Sequence, residues 1–192
     1  MALNHNAGEG DIRLLDSDTA TGVVVSGNFT ITGDFSMQGR VERGGIPVTL
    51  TWGGTLVPYG PSADTTDVIG NNFTLLVNYG GTYTITTNQP RYLNVITATG
   101  KTIMVDGNEI LPALRLRGGN AVWMDSETVF NDFIDGGDAS LVGTQYGTGG
   151  TSDLLGNNGD CNFDGKVNIQ DLALVGGNFD LTSATAYAAW LP

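Results

Sequence analysis

The sequence has few of the residues that form cross-links and catalytic centres. Its 192 residues include one cysteine, Cys161, one histidine, His5, and eight lysines and arginines in total. A single cysteine excludes an internal disulfide bond. Because His5 lies near the start of the chain, the rest of the sequence has no histidine to act as a base, and no nucleophile–base pair is evident. We therefore expect a protein that is not an enzyme.

Long apolar runs are also missing, since none approaches the ~20 residues that a membrane-spanning helix needs. Residues 1–20 are polar and acidic and do not have the pattern of an export signal. We expect no membrane span. We also expect the chain to be a fragment of a longer secreted protein whose signal is not present in this chain.

Basic residues are scarcest where acidic residues are dense. The chain has 20 acids and 8 bases, which give a net charge of −12. Residues 119–192 hold ten of the acids and one base, Lys166, so this segment has a net charge of −9. Such a segment repels nucleic acids and anionic membranes, which excludes both as partners and favours bound cations.

Short stretches of alternating apolar and polar residues follow one another between residues 21 and 118. Examples are Phe35–Val41, Val48–Trp52, Phe73–Val77 and Tyr83–Thr87. Gly-Gly pairs separate several of them, as expected for tight turns. The spacing predicts a mainly β fold, an antiparallel β-sandwich over residues 21–118 after a loosely ordered lead-in at residues 1–20.

The order of five short segments resembles the carboxypeptidase-regulatory-like, or prealbumin-like, β-sandwich family. The segments are Met37–Val41, Ile46–Leu50, Asn72–Leu75, Gly80–Ile85 and Pro90–Leu93. The resemblance implies a non-catalytic spacer, stalk or binding module.

Residues 160–171 have the spacing of a calcium-binding loop. Oxygen-bearing side chains stand at loop positions 1, 3, 5, 9 and 12, and these are Asp160, Asn162, Asp164, Asn168 and Asp171. Gly165 occupies position 6, where the chain turns sharply, and Lys166 at position 7 would contribute its backbone carbonyl. Calcium binds six to eight oxygens, so this pattern predicts a Ca²⁺ site. The aspartate at position 12, where glutamate is more usual, is the one departure.

A shift of 33 residues relates this loop to an earlier segment. Val167 then falls on Ile134 and Asp171 on Asp138. The first loop would run over residues 127–138, with Glu127, Asn131, the carbonyl of Phe133, Asp135 and Asp138 as candidate ligands. Val129 at position 3 and Asp132 at position 6 depart from the pattern. A shifted register that uses Asp125, with an insertion in the loop, remains open, as does a loop that binds calcium weakly or not at all.

Each loop is followed by apolar residues at helical spacing, over Ala139–Tyr146 and Leu172–Phe179. The sequence therefore predicts a small α calcium-binding module over residues 119–192, built from two loop–helix units.

Two such units resemble a dockerin domain, whose type I repeat closely matches Asp160–Leu172. The resemblance implies a cohesin-like partner and attachment to a cellulosome-like scaffold, at an extracellular or cell-surface site of a bacterium or archaeon. It also implies that positions 10, 11, 17 and 18 of each repeat contact the partner. These residues are Ile169, Gln170, Gly176 and Gly177 in the second repeat, and Gly136, Gly137, Gly143 and Thr144 in the first.

Two alternatives remain open beside a calcium-dependent assembly module. The calcium module could pack on its own sandwich and stiffen a cell-surface or adhesion stalk. The sandwich could instead bind carbohydrate through Trp52, Tyr59 or Tyr83. We further hypothesise that Trp123 packs against Tyr187 or Trp190 to join the two ends of the module.

Overall fold

In the computed structural model, which describes residues 12–13, 24–40, 45–52, 55–56, 63–65, 71–87, 89–93, 95, 102–122, 132–150 and 157–190, strands come first and helices follow. The strands are β1 (Ile12–Arg13), β2 (Val24–Met37), β3 (Pro47–Trp52), β4 (Thr55–Leu56), β5 (Ala63–Thr65), β6 (Asn72–Tyr79), β7 (Gly81–Thr87), β8 (Thr102–Val105), β9 (Glu109–Ile110) and β10 (Leu114–Leu116). The helices are α1 (Gly136–Thr144), α2 (Ile169–Gly177) and α3 (Ser183–Ala186).

The strands form two five-stranded sheets. The first sheet is built around β2, which pairs with β1, β6, β9 and β10. The second has the order β4-β3-β7-β8, with β5 also pairing with β3. The mainly β, two-sheet architecture that the alternating pattern predicts is therefore present.

The expectation of purely antiparallel pairing is wrong at two places. β9 and β10 both pair with β2 in the parallel direction, with Thr32 opposite Ile110 and Phe35 opposite Leu114. The chain leaves β8 in the second sheet and returns to β2 in the first, and this crossover brings it back in the direction of β2. Very short strands such as β9, two residues long, give no alternating pattern from which a direction could be predicted.

The core lies between the sheets and continues under the helices. Alternate residues of β2 and β7 are buried, among them Ile31, Phe35 and Ile85. The same cluster of buried side chains includes Val142 of α1 and Val175 of α2. The apolar faces of the helices therefore share one core with the strands.

Both longer helices begin three residues before the predicted starts at Ala139 and Leu172, because each has a reciprocal capping box. Asp135 caps α1 with Asp138, and Asn168 caps α2 with Asp171. In each box, the cap side chain accepts from a backbone N–H of the first turn, and the third helical residue accepts from the cap N–H. No helix in the described part of the chain is long and apolar enough to span a membrane.

Asn178, the residue that ends α2, joins the helix to the sandwich. Its Nδ2 donates to Oε1 of Gln38, at 2.6 Å, and to the carbonyl of Gly118, at 2.7 Å. Gln38 follows β2, and Gly118 follows β10. One buried amide thus fixes α2 to the end of the first sheet.

The residues around α3 make a second connection to the strands. The Tyr187 hydroxyl donates to the carbonyl of Leu93, at 2.6 Å, and accepts from the N–H of Arg117, at 2.9 Å. Trp190 donates its indole N–H to the carbonyl of Pro112, at 2.9 Å, and its ring meets Phe35 edge-on. The two aromatic residues that we hypothesised to pack on Trp123 therefore contact the sandwich, and Trp123 itself lies outside the described residues.

Gly119 lies against the backbone of α2, which gives a stability prediction. An added Cβ would lie 3.0 Å from Val175 Cα, and the backbone φ of Gly119 is +113°. We expect Gly119→Ala to lower the free energy of unfolding by about 2 kcal/mol, from backbone strain together with overpacking. Gly45→Ala is the matched control, since Gly45 has φ +71° and nothing within 4 Å. Equal losses in chemical unfolding for the two variants would show that the contact with α2 contributes nothing.

Candidate metal centre

The side chains at positions 1 and 3 of the 160–171 loop turn to the same side of the chain. The N–H of Asp164 donates both to Oδ1 of Asp160, at 3.1 Å, and to Oδ1 of Asn162, at 3.0 Å. The second oxygen of Asp160 accepts from the N–H of Gly165, at 3.0 Å. Gly165 has φ +86°, the left-handed conformation that its place in the loop predicts.

Asp164 at position 5 brings two more ligand candidates to the same place. Its Oδ2 accepts from Nδ2 of Asn162, at 3.2 Å, and from Nδ2 of Asn168, at 3.4 Å. Positions 1, 3, 5 and 9 therefore converge. The hydrogen bonds that bring these side chains together come from the N–H of Asp164 and from the side-chain amides of Asn162 and Asn168.

Asp171 at position 12 closes the loop. Its carboxylate is fully buried. Oδ1 accepts from the N–H groups of Cys161, at 2.7 Å, and Asn162, at 3.2 Å, while Oδ2 accepts from the N–H of Asn168, at 2.9 Å. One carboxylate thus connects the start of the loop to the first turn of α2.

Burial opposes the ionisation of two acids of this loop, Asp160 and Asp171. It raises the pKa of Asp160 and of Asp171 above the ordinary aspartate value, because the charged forms lose hydration, although backbone N–H donors oppose the shift. Each of these two carboxylates also raises the pKa of a neighbouring acidic group. Burial likewise raises the pKa of the Cys161 thiol, so this lone cysteine is held as a neutral thiol. A bound cation would favour the ionised carboxylates.

The donor set of the loop fits a hard cation that accepts mixed oxygen ligands. In the described residues, no three or more His, Cys, Asp and Glu side chains come together as a metal-binding group of their own. The loop instead combines the carboxylates of Asp160, Asp164 and Asp171 with two asparagine amides and the Lys166 backbone. Calcium uses carboxylate, amide and backbone carbonyl oxygens together, whereas zinc sites depend on thiolate and imidazole.

The first loop–helix unit repeats the contacts of position 12. Asp138 is fully buried, and its Oδ1 accepts from the N–H groups of Ala121, at 2.6 Å, and Val122, at 2.9 Å. Its Oδ2 accepts from the N–H of Asp135, at 2.8 Å. Burial raises its pKa as it does at Asp171. Asp138 is the structural counterpart of Asp171.

The two units also face each other through matched backbone hydrogen bonds. Val167 exchanges two such bonds, of 2.9 and 3.0 Å, with residues 147–148, which follow α1. Ile134 exchanges two, of 2.9 and 3.0 Å, with residues 180–181, which follow α2. Each group in one pair lies 33 residues from its counterpart. The repeat found in the sequence is therefore an approximate twofold arrangement in space.

The contacts at the start of the first loop do not follow the 33-residue shift, which assigns position 1 to Glu127. Ala121 and Val122 make the contacts that Cys161 and Asn162 make in the second unit, which puts Asn120 in the place of Asp160. The shift here is 40 residues, so the first loop is seven residues longer than the second. Glu127 and Asn131 lie outside the described residues.

Asn120 differs from its counterpart Asp160 in charge and in hydrogen bonding. The Asn120 side chain is 1% exposed, and neither its amide oxygen nor its amide nitrogen has a hydrogen-bond partner. It is a neutral amide where the second loop has a carboxylate, and Val122 replaces the ligand at position 3. Self-comparison at a shift of 40 would have revealed the relation, since Gly119-Asn120 matches Gly159-Asp160.

Asp135 and Phe133, two candidate ligands of the first loop, make the contacts that Asn168 and Lys166 make in the second, and Asp132 departs from the pattern at position 6. Asp135 caps α1 by accepting from the N–H of Gly137, at 2.6 Å. Asp132 accepts a hydrogen bond from the hydroxyl of Ser183. Phe133 forms an isolated bridge with Thr182. Among the described residues of this loop, Asp138 is the buried carboxylate that matches the second site.

The eight residues implied to contact a partner are all exposed. Gly136, Gly137, Gly143 and Thr144 lie on α1, and Ile169, Gln170, Gly176 and Gly177 lie on α2. Ile169 is the largest apolar side chain of the set and is 61% exposed. Glycine occupies five of the eight positions, so most of this surface consists of backbone.

Phe163, at position 4 of the second loop, inserts between two arginines of the sandwich. The guanidinium carbon of Arg40 lies 4.6 Å from the ring centroid, and that of Arg91 lies 4.4 Å away. Phe163 and Arg91 both have positive φ, 56° and 63°, which is uncommon for such large residues. The loop is thus attached to the sandwich by two cation–π contacts, which sequence reasoning missed.

The aromatic residues considered for carbohydrate binding do not form a platform in the described part of the chain. Tyr83 is fully buried, so the expectation that it contacts a ligand is wrong. The side chain of Trp52, and Tyr59, lie outside the described residues.

No protein-family profile and no curated protein matches this chain. Solved structures do match. Two of them are an N-terminal and a C-terminal interface mutant of a type II cohesin–X-dockerin complex from Acetivibrio cellulolyticus. They have 20% and 19% sequence identity to this chain and TM-scores of 0.58 and 0.59. Each alignment covers 81% of this chain and 98% of the matched chain. The likeness is one of fold, with two sheets and few helices.

Proposed function

We propose that the chain is a non-catalytic, calcium-dependent protein–protein assembly module that binds a cohesin-like partner at an extracellular or cell-surface scaffold. One observation carries the proposal: the two loop–helix units are joined by matched backbone hydrogen bonds at Ile134 and Val167. A dockerin role requires such a pair of units. The similar solved chains come from cohesin–dockerin complexes, which supports the same pair of partners.

A dockerin role for this chain explains more of its structural features than a cohesin role does. A cohesin role draws on the sheets alone. It leaves the converging side chains of residues 160–171 and the buried carboxylates of Asp138 and Asp171 without a purpose. In our proposal, the sandwich is a companion module to which the calcium unit is attached.

Calcium would be held by Asp160, Asn162, Asp164, Asn168, Asp171 and the carbonyl of Lys166. The positive charge of the ion would favour the ionised forms of Asp160 and Asp171, which burial opposes. Its binding free energy would then contribute to the stability of α2, because Asp171 belongs to both the loop and the helix. With a neutral amide at Asn120, the first unit offers a weaker site, and we propose one calcium ion per chain.

The partner would contact the exposed faces of α1 and α2. The opposite face of α2, with Leu174 and Val175, is buried against the sandwich, so Ile169 and Gln170 remain available. Ile169 is the apolar side chain best suited to fill a pocket on a partner. The many glycines allow the partner to approach the helix backbone closely.

Replacement of Ile169 by glutamate tests this surface. We expect Ile169→Glu to weaken binding to a type II cohesin about 30-fold or more, because a buried apolar contact would be replaced by a charge. Isothermal titration calorimetry in calcium measures the affinity. Ile110→Glu is the matched control, since Ile110 is 84% exposed and belongs to β9, outside the proposed face. Its affinity should stay within about twofold of the parent.

The same titration in a chelator should show no binding. Absence of binding to every cohesin tried in calcium, with the protein folded, would overturn the assembly proposal. Binding to a dockerin instead would reverse the assigned role.

A second candidate function is a calcium-stiffened cell-surface stalk. The observation that favours it is the set of contacts between the calcium unit and the sandwich through Asn178, Tyr187 and Phe163. Such contacts would keep the two parts at a fixed angle. A stalk needs no partner at Ile169, so Ile169→Glu would then leave every interaction of the protein unchanged.

A further inference from the structure

An open pocket lies on the first sheet, where β2 ends and β6 begins, beside β10. It has a volume of about 380 Å³, within the range of small-ligand sites. Its lining residues are Asp34, Ser36, Met37, Arg40, Asn71 and Arg115. None of them belongs to the 160–171 loop or to the proposed partner surface.

Two arginines meet at this pocket, although the chain has only 8 bases and a net charge of −12. Arg115 is exposed on β10, opposite Ser36 of β2. Arg40 is held in place by its stacking on Phe163 and by donating Nη1 to the sulfur of Met37, at 3.6 Å. A fixed guanidinium beside an exposed one favours an oxyanion, because guanidinium groups bind carboxylate and sulfate oxygens through paired N–H donors.

The rest of the pocket wall is polar and uncharged or acidic. Asp34 and Ser36 lie on the same face of β2. Asn71 is the residue before β6. Asn71 is 8% exposed, its φ is 57°, and its side-chain oxygen has no hydrogen-bond partner. Buried polar atoms nearly always have a partner, so the wall is incomplete without a ligand or a water molecule. A carboxylate and a hydroxyl beside the arginines are suited to ligand hydroxyl groups.

We propose that this pocket binds an acidic sugar residue. Arg40 and Arg115 would hold its carboxylate or sulfate group, and Asp34 and Ser36 would bond to its hydroxyls. A sugar acid carries an oxyanion and neighbouring hydroxyls on one small ring, which matches the mixed wall. An acidic peptide side chain carries the oxyanion without the hydroxyls. Arg40 connects the pocket to the calcium loop through its stacking on Phe163, but none of the proposed calcium ligands lines the pocket. The proposal does not depend on the proposed assembly function.

Nuclear magnetic resonance titration of the whole chain tests the proposal with four probes. These are trigalacturonate, a sulfated galactose trisaccharide, neutral galactotriose and triglutamate. We expect the backbone amide signals of Asp34, Ser36 and Asn71 to shift with one or both acidic saccharides at millimolar concentration. The carboxylated and sulfated probes identify which oxyanion the pocket prefers.

Two charge-matched variants locate the site. Arg115→Gln should weaken binding of the preferred saccharide about tenfold, as expected when one charge-assisted contact is lost. Arg117→Gln removes the same charge two residues away, from a residue that does not line the pocket, and should change the affinity less than twofold. Amide signals away from the loop of residues 160–171 report that each variant is folded. The proposal fails if the pocket amides do not shift, if triglutamate or galactotriose binds as tightly, or if both variants lose affinity equally.

Discussion

Asp171→Ala should abolish calcium binding and lower the free energy of unfolding by about 3–5 kcal/mol. The carboxylate is fully buried and accepts three backbone N–H groups, from Cys161, Asn162 and Asn168. Alanine would leave these donors without partners and would remove the proposed ligand at position 12. Loss of a direct ligand should exceed the ~10–100-fold effect of losing an outer-shell partner. Calorimetric calcium titration and urea unfolding in a chelator measure the two losses separately.

Asp138→Ala is the informative comparison for Asp171→Ala. Asp138 accepts from three corresponding backbone N–H groups but belongs to the unit in which the neutral Asn120 takes the place of Asp160. We expect a similar loss of stability, with the calcium stoichiometry remaining at one. Asp106→Ala, which removes an exposed acid from the sandwich, should change stability by less than about 0.5 kcal/mol. A stoichiometry of two in the parent protein that falls to one in Asp138→Ala would contradict the asymmetry of the two units.

Phe163→Ala should lower the free energy of unfolding by about 2–4 kcal/mol and separate the unfolding of the sandwich from that of the calcium unit. The ring fills the space between the guanidinium groups of Arg40 and Arg91. Without it, two cations face each other across a gap, and one of the contacts that couple the two parts is lost. Differential scanning calorimetry should resolve two transitions in the variant where the parent shows one.

Two further variants separate the contributions of the Phe163 ring. Phe163→Leu keeps an apolar side chain but removes the cation–π contacts. Its free energy of unfolding should therefore lie between those of the parent and Phe163→Ala. Phe179→Ala removes a ring that is 48% exposed in the same unit, and it should lower stability by less than about 1 kcal/mol. Equal effects of Phe163→Ala and Phe179→Ala would mean that the arginine contacts do not hold the two parts together.

Local pattern was enough to predict the second loop–helix unit. The oxygen spacing from Asp160 to Asp171 and the apolar spacing after it depend on residues close in sequence. The apolar spacing alone predicts helix starts that are three residues late. Asn168 and Asp171, which the loop pattern identifies as ligands, also form the capping box with which α2 begins. One side chain can serve both purposes, since position 12 of the loop is also the third residue of the helix.

Contacts between distant residues could not be predicted in the same way. Arg40 and Phe163 are 123 positions apart, and no periodic pattern relates them. The parallel pairing of β10 with β2 also depends on how the chain crosses between the sheets. In the first loop, the 33-residue shift follows the repeated helix and leaves an insertion before it as one of two alternatives. The hydrogen bonds of Asp138 give the register, with Asn120 in the place of Asp160.

The difference between the two halves of the calcium unit would determine the orientation in which a partner binds. A surface with twofold symmetry looks the same after a half-turn, so a partner could bind it in two opposite orientations with equal affinity. Here the half-turn exchanges Ile169 and Gln170 with Gly136 and Gly137, and it exchanges a short loop with a longer one. A partner that uses the isoleucine therefore has a single favourable orientation. The complex would then have a defined polarity, and everything attached to the sandwich would project from the scaffold in one direction.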